Sequence, residues 1–142
     1  MHKSIFSAIL LGSLVSAQAA PPAPSSAAKH PLIASWSWTL PGKQCMETLR
    51  YLAKGAGSST SGEEVAKSRY EVTSVPDLLG FYRVIETLTE TNGKADCAGD
   101  IHEVSGEPVT RFIQLSPKKD QLIVCKEDSL KACFGPLKRE MK

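Results

Sequence analysis

The chain has 142 residues, with 17 Lys and Arg against 15 Asp and Glu, and four cysteines. A formal net charge of +2 gives no electrostatic reason to expect nucleic acid or an anionic membrane surface as a partner. The length suits one domain with one modest core.

The first residues read as a secretory signal peptide. His2 and Lys3 make a short positive start, Ile5 to Val15 an apolar run, and Ala17-Gln18-Ala19 a small-x-small cleavage site. The apolar run is about 11 residues, well short of the ~20 that a helix needs to span a bilayer. Residues 1–19 are therefore assigned to the signal, and the protein is expected to be periplasmic or secreted, with no membrane span. Residues 20–31 are rich in Pro, Ala and Ser and read as a flexible linker, with His30 exposed in it. Residues 32–142 remain for a single domain.

Leu32 to Leu40 is the first strand candidate. It carries Trp36 and Trp38, which share a face because strand residues two apart point the same way. Pro41-Gly42 turns the chain. Cys45 to Ala53 fits both a helical and a strand spacing, and the surrounding turn and β signals favour a strand. Gly55 to Gly62 is small and flexible, a hairpin tip that can continue into a short edge strand. It lacks the Gly-Lys-Ser/Thr ending of a phosphate-cradling loop. Val65 to Val75 alternates through Tyr70 and Val72 and stops at Pro76-Asp77.

Phe81 to Thr91 is rich in aromatic, β-branched and Thr residues. Phe81, Arg83, Ile85, Thr87 and Thr89 fall on one face; Tyr82, Val84, Glu86, Leu88 and Glu90 fall on the other. Neither face is purely apolar, a pattern that suits a small barrel with a partly polar interior. Asn92-Gly93 is a tight-turn signal. A loop-like stretch, Lys94 to Pro108, precedes strands at Val109 to Leu115 and Gln121 to Cys125. Ala132 to Arg139 closes the chain, bent at Gly135-Pro136.

All four cysteines lie beyond the signal, and an even number in an exported chain points to two disulfides. They also test the strand count. With seven up-and-down strands, Cys45 falls at the opposite end of the sheet from Cys97, Cys125 and Cys133. At ~3.3 Å per residue those ends are far beyond the ~7 Å that a bridge allows between Cα atoms. Counting part of Gly55 to Glu63 as a strand makes about eight and brings every cysteine to one end, the common size of a closed antiparallel barrel. The expected fold is thus all-β: an antiparallel up-and-down barrel of about eight strands with two disulfides. Spacing alone leaves three connectivities open. Cys45–Cys97 with Cys125–Cys133 is favoured, because the second pair flanks a short connection; Cys45–Cys133 with Cys97–Cys125 would instead staple the barrel's closure.

Ala34-Ser35-Trp36 resembles the Gly-x-Trp signature of lipocalins, with Ala in place of Gly. The resemblance implies that Trp36 packs against an Arg from near the end of the barrel, a part that falls to Arg139. The overall pattern is similar to the small, exported, lipocalin-like barrel proteins of Gram-negative bacteria, which are shorter than a typical lipocalin. A second likeness is to the periplasmic inhibitors of lysozyme, whose inhibitory loop carries Ser-Gly-x-x-Tyr. Ser61-Gly62-Glu63-Glu64-Val65 matches Ser and Gly and has Val in place of Tyr. In that family the Ser loop enters the enzyme's cleft, where Glu63 and Glu64 would face its catalytic carboxylates and be repelled.

No catalytic signature stands out, so no enzymatic activity is expected. Asp96, Asp100, His102 and Glu103 form the densest group of potential ligands or acid–base residues, read as an exposed charged loop beside a disulfide. One His without a partner and no C-x-x-C pair give no reason to expect a metal or cofactor. No G-x-S-x-G turn offers a serine nucleophile, and a bridged cysteine is no nucleophile. Fifteen acidic residues allow many carboxylate pairs, and sequence gives no distances between them. The expected function is binding of a small apolar or amphipathic ligand, or of a protein, through Trp36, Trp38, Tyr70, Phe81 and Tyr82. The alternative is inhibition of a lysozyme-like hydrolase through Ser61 and Gly62.

Overall fold

A computed structural model describes residues 29–141. The expected signal peptide and most of the expected linker lie outside the described residues. Eight strands follow in chain order: β1 Ser35–Thr39, β2 Met46–Tyr51, β3 Ala56–Ser61, β4 Glu64–Val72, β5 Phe81–Thr91, β6 Pro108–Leu115, β7 Gln121–Cys125 and β8 Cys133–Arg139. Each pairs antiparallel with the next, and β1 pairs with β8 to close the barrel. The closing seam is short, with only Trp36 opposite Arg139 and Ser37 opposite Lys138.

β3 is the strand that the cysteines required. Its sequence, Ala-Gly-Ser-Ser-Thr-Ser, has little strand preference of its own, but it is paired on both sides, by β2 and by β4. Ladder hydrogen bonds on both edges outweigh a propensity deficit of at most ~1 kcal/mol per residue. With β3 in place, Cys45, Cys97, Cys125 and Cys133 gather at one end. The bridges are Cys45–Cys97, with Cα atoms 5.8 Å apart, and Cys125–Cys133, 4.0 Å apart.

The two ends of the barrel differ. At the end away from the cysteines the interior is filled by Leu32, Trp36, Tyr51, Tyr70, Val84, Ile113, Leu122, Val124 and Leu137. Leu32 comes from the turn before β1 and plugs this end, completely buried. The Trp36 indole N–H donates to the Leu32 carbonyl at 2.9 Å. The Arg139 guanidinium lies 4.3 Å from the centroid of the Trp36 ring, the contact expected from the Ala34-Ser35-Trp36 segment. Arg139 also donates from Nη2 to the Pro31 carbonyl at 2.6 Å and from Nε to the Lys119 carbonyl at 2.8 Å.

One local expectation changes. His30 is not an exposed linker residue: it is half-buried, its Nε2 is 3.1 Å from the Thr73 carbonyl, its Nδ1 accepts from the Leu32 N–H, and its ring meets Tyr82 edge-on. The apolar contacts of Leu32 draw the preceding turn onto the barrel and bring His30 with it. Asn92-Gly93 opens the long connection 92–107, with Gly93 at φ +68° and the Lys94 N–H donating to Asn92 Oδ1. The Asn92 side chain also clasps the β3–β4 turn, accepting from the Val65 N–H and donating to the Glu63 carbonyl.

Chain-entropy arguments rank the disulfides. Closing a loop with a sequence separation of 52 constrains the unfolded chain more than one of 8. Replacing both Cys45 and Cys97 by Ala should cost about 4 kcal/mol, and the Cys125/Cys133 pair about 2.5 kcal/mol. Urea denaturation of the two double variants reads this order, and a reversed order would contradict it. The filled end also makes an alkaline prediction. Burial, then the negative charge of Glu86, pushes the Tyr51 phenol well above its ordinary 10.0, and burial pushes Tyr70 up as well. Raised folded values mean that this stability is fully present below pH 10 and is lost as pH rises beyond it, because only the unfolded chain then releases the protons. Unfolding monitored between pH 9 and pH 12 should show a falling denaturation midpoint, and a flat profile would contradict it.

Candidate functional site

The cysteine end is hollow. A cavity of about 680 Å³ opens there, walled by residues of β2 to β6 and β8 and covered on one side by the 92–107 connection. Period-two alternation along β4 sends Glu64, Ala66, Ser68 and Tyr70 inward and leaves Val65, Lys67 and Arg69 exposed. On β3 the inward positions are Gly57, Ser59 and Ser61. Only Tyr70 among these has the bulk to cross the barrel, and it lies at the filled end. The adjacent small residues Ser59, Ser61, Ala66 and Ser68 therefore leave the other half open.

Three carboxylates project from the walls of this half. Glu47 accepts from the Trp38 indole N–H at 2.9 Å and from the Ser61 hydroxyl at 2.6 Å. Ser61 in turn accepts from the Cys97 N–H at 3.0 Å, which fixes the disulfide-bearing loop to β3. Glu86 accepts from the Ser68 hydroxyl at 2.7 Å and lies 3.5 Å from the Arg111 Nε. Glu64, only 6% exposed, has its Oε1 at 2.9 Å from His102 Nδ1. Apolar surface is interleaved with these groups: Leu49, Leu88, Val109, Phe134 and, from the covering loop, Ile101. Asp96, Glu103 and Glu107 add negative charge at the rim, against the cation Arg111, while the Lys67 ammonium pairs with Glu90 on the outer face. An excess of one sign in a low-dielectric recess focuses its field and concentrates the opposite charge.

The aromatic residues expected to bind ligand are placed elsewhere. Trp36 and Tyr70 belong to the packed core. Trp38 packs against Phe134, with ring centroids 5.7 Å apart, and orients Glu47. Phe81 is buried beneath the 73–77 segment, and Tyr82 meets His30. None of the five lines the cavity. Ser61 faces inward, 8% exposed, with its hydroxyl engaged as described, and Gly62 sits in the tight β3–β4 turn at φ +58° against the backbone of Ala95 to Cys97. Of the charged loop residues, Asp96 and His102 come together with Glu64, their ligand atoms all within 4.8 Å of one another; Asp100 and Glu103 stay outside that group.

Glu47, Ser68, Glu86 and Arg111 were not singled out from the sequence, and Glu64 entered only as part of the Ser61-Gly62 loop. The available signal was register: once Tyr70 is inward, two-residue steps carry Ser68, Ala66 and Glu64 inward with it, and Val84 carries Glu86.

Comparison with protein-family models, curated proteins and solved structures gave no match.

A larger concavity, about 890 Å³, lies along β3 to β5 with Ser58, Lys67, Arg69 and Thr87 at outward register positions. It lacks the converging interior carboxylates.

Ser61→Ala should destabilise the protein by about 1–3 kcal/mol, because the buried Cys97 N–H loses its acceptor. Urea titration checks this, and a loss below about 0.5 kcal/mol would contradict it.

Proposed function

We propose that this protein is an exported binding protein that takes a small amphipathic molecule into the open half of its barrel. The observation that carries this reading is the cavity of about 680 Å³ within the barrel wall, a size typical of sites that enclose a small ligand. Its lining divides the labour. Leu49, Leu88, Val109, Ile101 and Phe134 accept an apolar body. Glu47 and Glu86 accept hydrogen bonds from a polar head, and the carboxylate excess favours a head that is cationic.

The two disulfides support an oxidising compartment, in keeping with a periplasmic or secreted location. They also hold the mouth in shape before a ligand arrives, which lowers the ordering cost of binding.

Titration calorimetry with octylamine, octanol and octanoate tests the reading. Octylamine should bind, octanol more weakly, and octanoate least. Glu86→Gln should reduce the preference for octylamine by about tenfold, since one cation–carboxylate interaction in a partly buried site is worth on the order of 1–2 kcal/mol. Absence of binding by all three compounds would overturn the carrier reading, and equal binding would overturn the charge preference.

A further inference from the structure

Of the three carboxylates in the open half, two have two protein donors each and the third has one partner. Glu47 has an indole N–H and a hydroxyl; Glu86 has a hydroxyl and a guanidinium. Glu64 is more than nine-tenths buried, yet among the described residues its single hydrogen-bonding partner is the half-exposed imidazole of His102. A buried carboxylate is costly unless a partner compensates it. One imidazole that carries a full positive charge only when protonated is thin compensation, and a carboxylate oxygen of Asp96 lies in the same group.

We propose that Glu64, Asp96 and His102 bind a divalent first-row transition metal ion, of the zinc class, at the rim of the cavity. The ligand atoms all fall within 4.8 Å of one another. Tetrahedral bonds of about 2.05 Å end about 3.3 Å apart, so the 2.9 Å between Glu64 Oε1 and His102 Nδ1 has to open by only a few tenths of an ångström to admit an ion. Two carboxylate oxygens with one imidazole nitrogen form a borderline donor set; the nitrogen favours zinc, nickel or copper over magnesium and calcium.

The scaffold holds two of the three groups independently of any ion. Glu64 is fixed on β4. Asp96 precedes the bridged Cys97, and its Oδ1 accepts from the Ala98 and Asp100 N–H groups. Three protein ligands leave further coordination positions for water or for a donor atom of a bound molecule. The ion would also link strand β4 to the 92–107 connection and so tie the cavity's cover to its wall. This site does not depend on the amphiphile reading, and either can fail alone.

Titration calorimetry of untagged, chelator-treated protein with zinc chloride tests the proposal, with thermal unfolding as a second readout. The chain should bind one zinc ion, and saturating zinc should raise Tm. Glu64→Gln and His102→Ala should each weaken binding by at least the roughly 10–100-fold seen when a ligand's supporting group is lost, and should abolish the zinc-dependent rise in Tm. Glu103→Gln, an exposed neighbour on the same connection, should retain the affinity of the parent. Excess magnesium should not displace zinc. Absence of zinc binding, affinity unchanged in both ligand variants, or equal weakening by Glu103→Gln would each overturn the site.

Discussion

The barrel depends on the stacking of Arg139 over Trp36. The seam between β1 and β8 has only two register pairs, and Arg139 is one half of the first. A seam so short gains little from its ladder. The guanidinium compensates with three further attachments: the face of a buried indole, the Pro31 carbonyl and the Lys119 carbonyl. A cation over Trp is worth ~0.5–2 kcal/mol, and hydrogen bonds to a charged donor ~1.5–3 kcal/mol each. One side chain thereby joins the segment before β1, the β6–β7 turn and the end of β8. Leu32, placed by the same segment, closes the filled end.

From that anchored end the interior changes character along the barrel axis. Bulky residues converge near Trp36, whereas β3 and the first half of β4 offer only Gly, Ser and Ala among their uncharged inward positions. A side chain added at Gly57 would meet the Ser68 oxygen at 2.5 Å, so the small residues of the two strands depend on each other's size. Space not filled by side chains is lined by polar ones, and the disulfides stand at the end where packing is least able to hold the wall. Covalent bridges and the Ser61–Glu47–Trp38 chain of hydrogen bonds take over there from apolar burial.

Much of the architecture was legible in the sequence because strand periodicity and cysteine geometry constrain each other. Phe81 to Thr91 reads as a strand and is one to the residue. The weak segment Gly55 to Gly62 could be assigned only through the requirement that Cys45 reach a partner. The interior charges were less visible, for a physical reason. An inward Glu64 or Glu86 follows the same two-residue alternation as an outward one, and only the three-dimensional register distinguishes them. Large rings suit binding surfaces, which is why the aromatic residues carry the expectation, but Trp36 and Tyr70 are needed to fill the closed end. His30 was misread because composition describes a segment on average, while the burial of Leu32 recruits its immediate neighbours. The meeting of Asp96 and His102 with Glu64, 38 residues from His102 in the chain, is a product of closure alone.

The attachment of Arg139 to Pro31 spans 108 positions of the chain. Contacts between such distant segments become favourable only after the intervening loop entropy has been met, which makes closure a late and comparatively slow event in folding. No early subset of strands contains both Trp36 and its guanidinium. A chain emerging amino-terminus first therefore keeps its plug, its seam and its interior unassembled until β8 has followed. The ordering of segments that locks the finished barrel is also one that keeps the chain open until its last strand arrives.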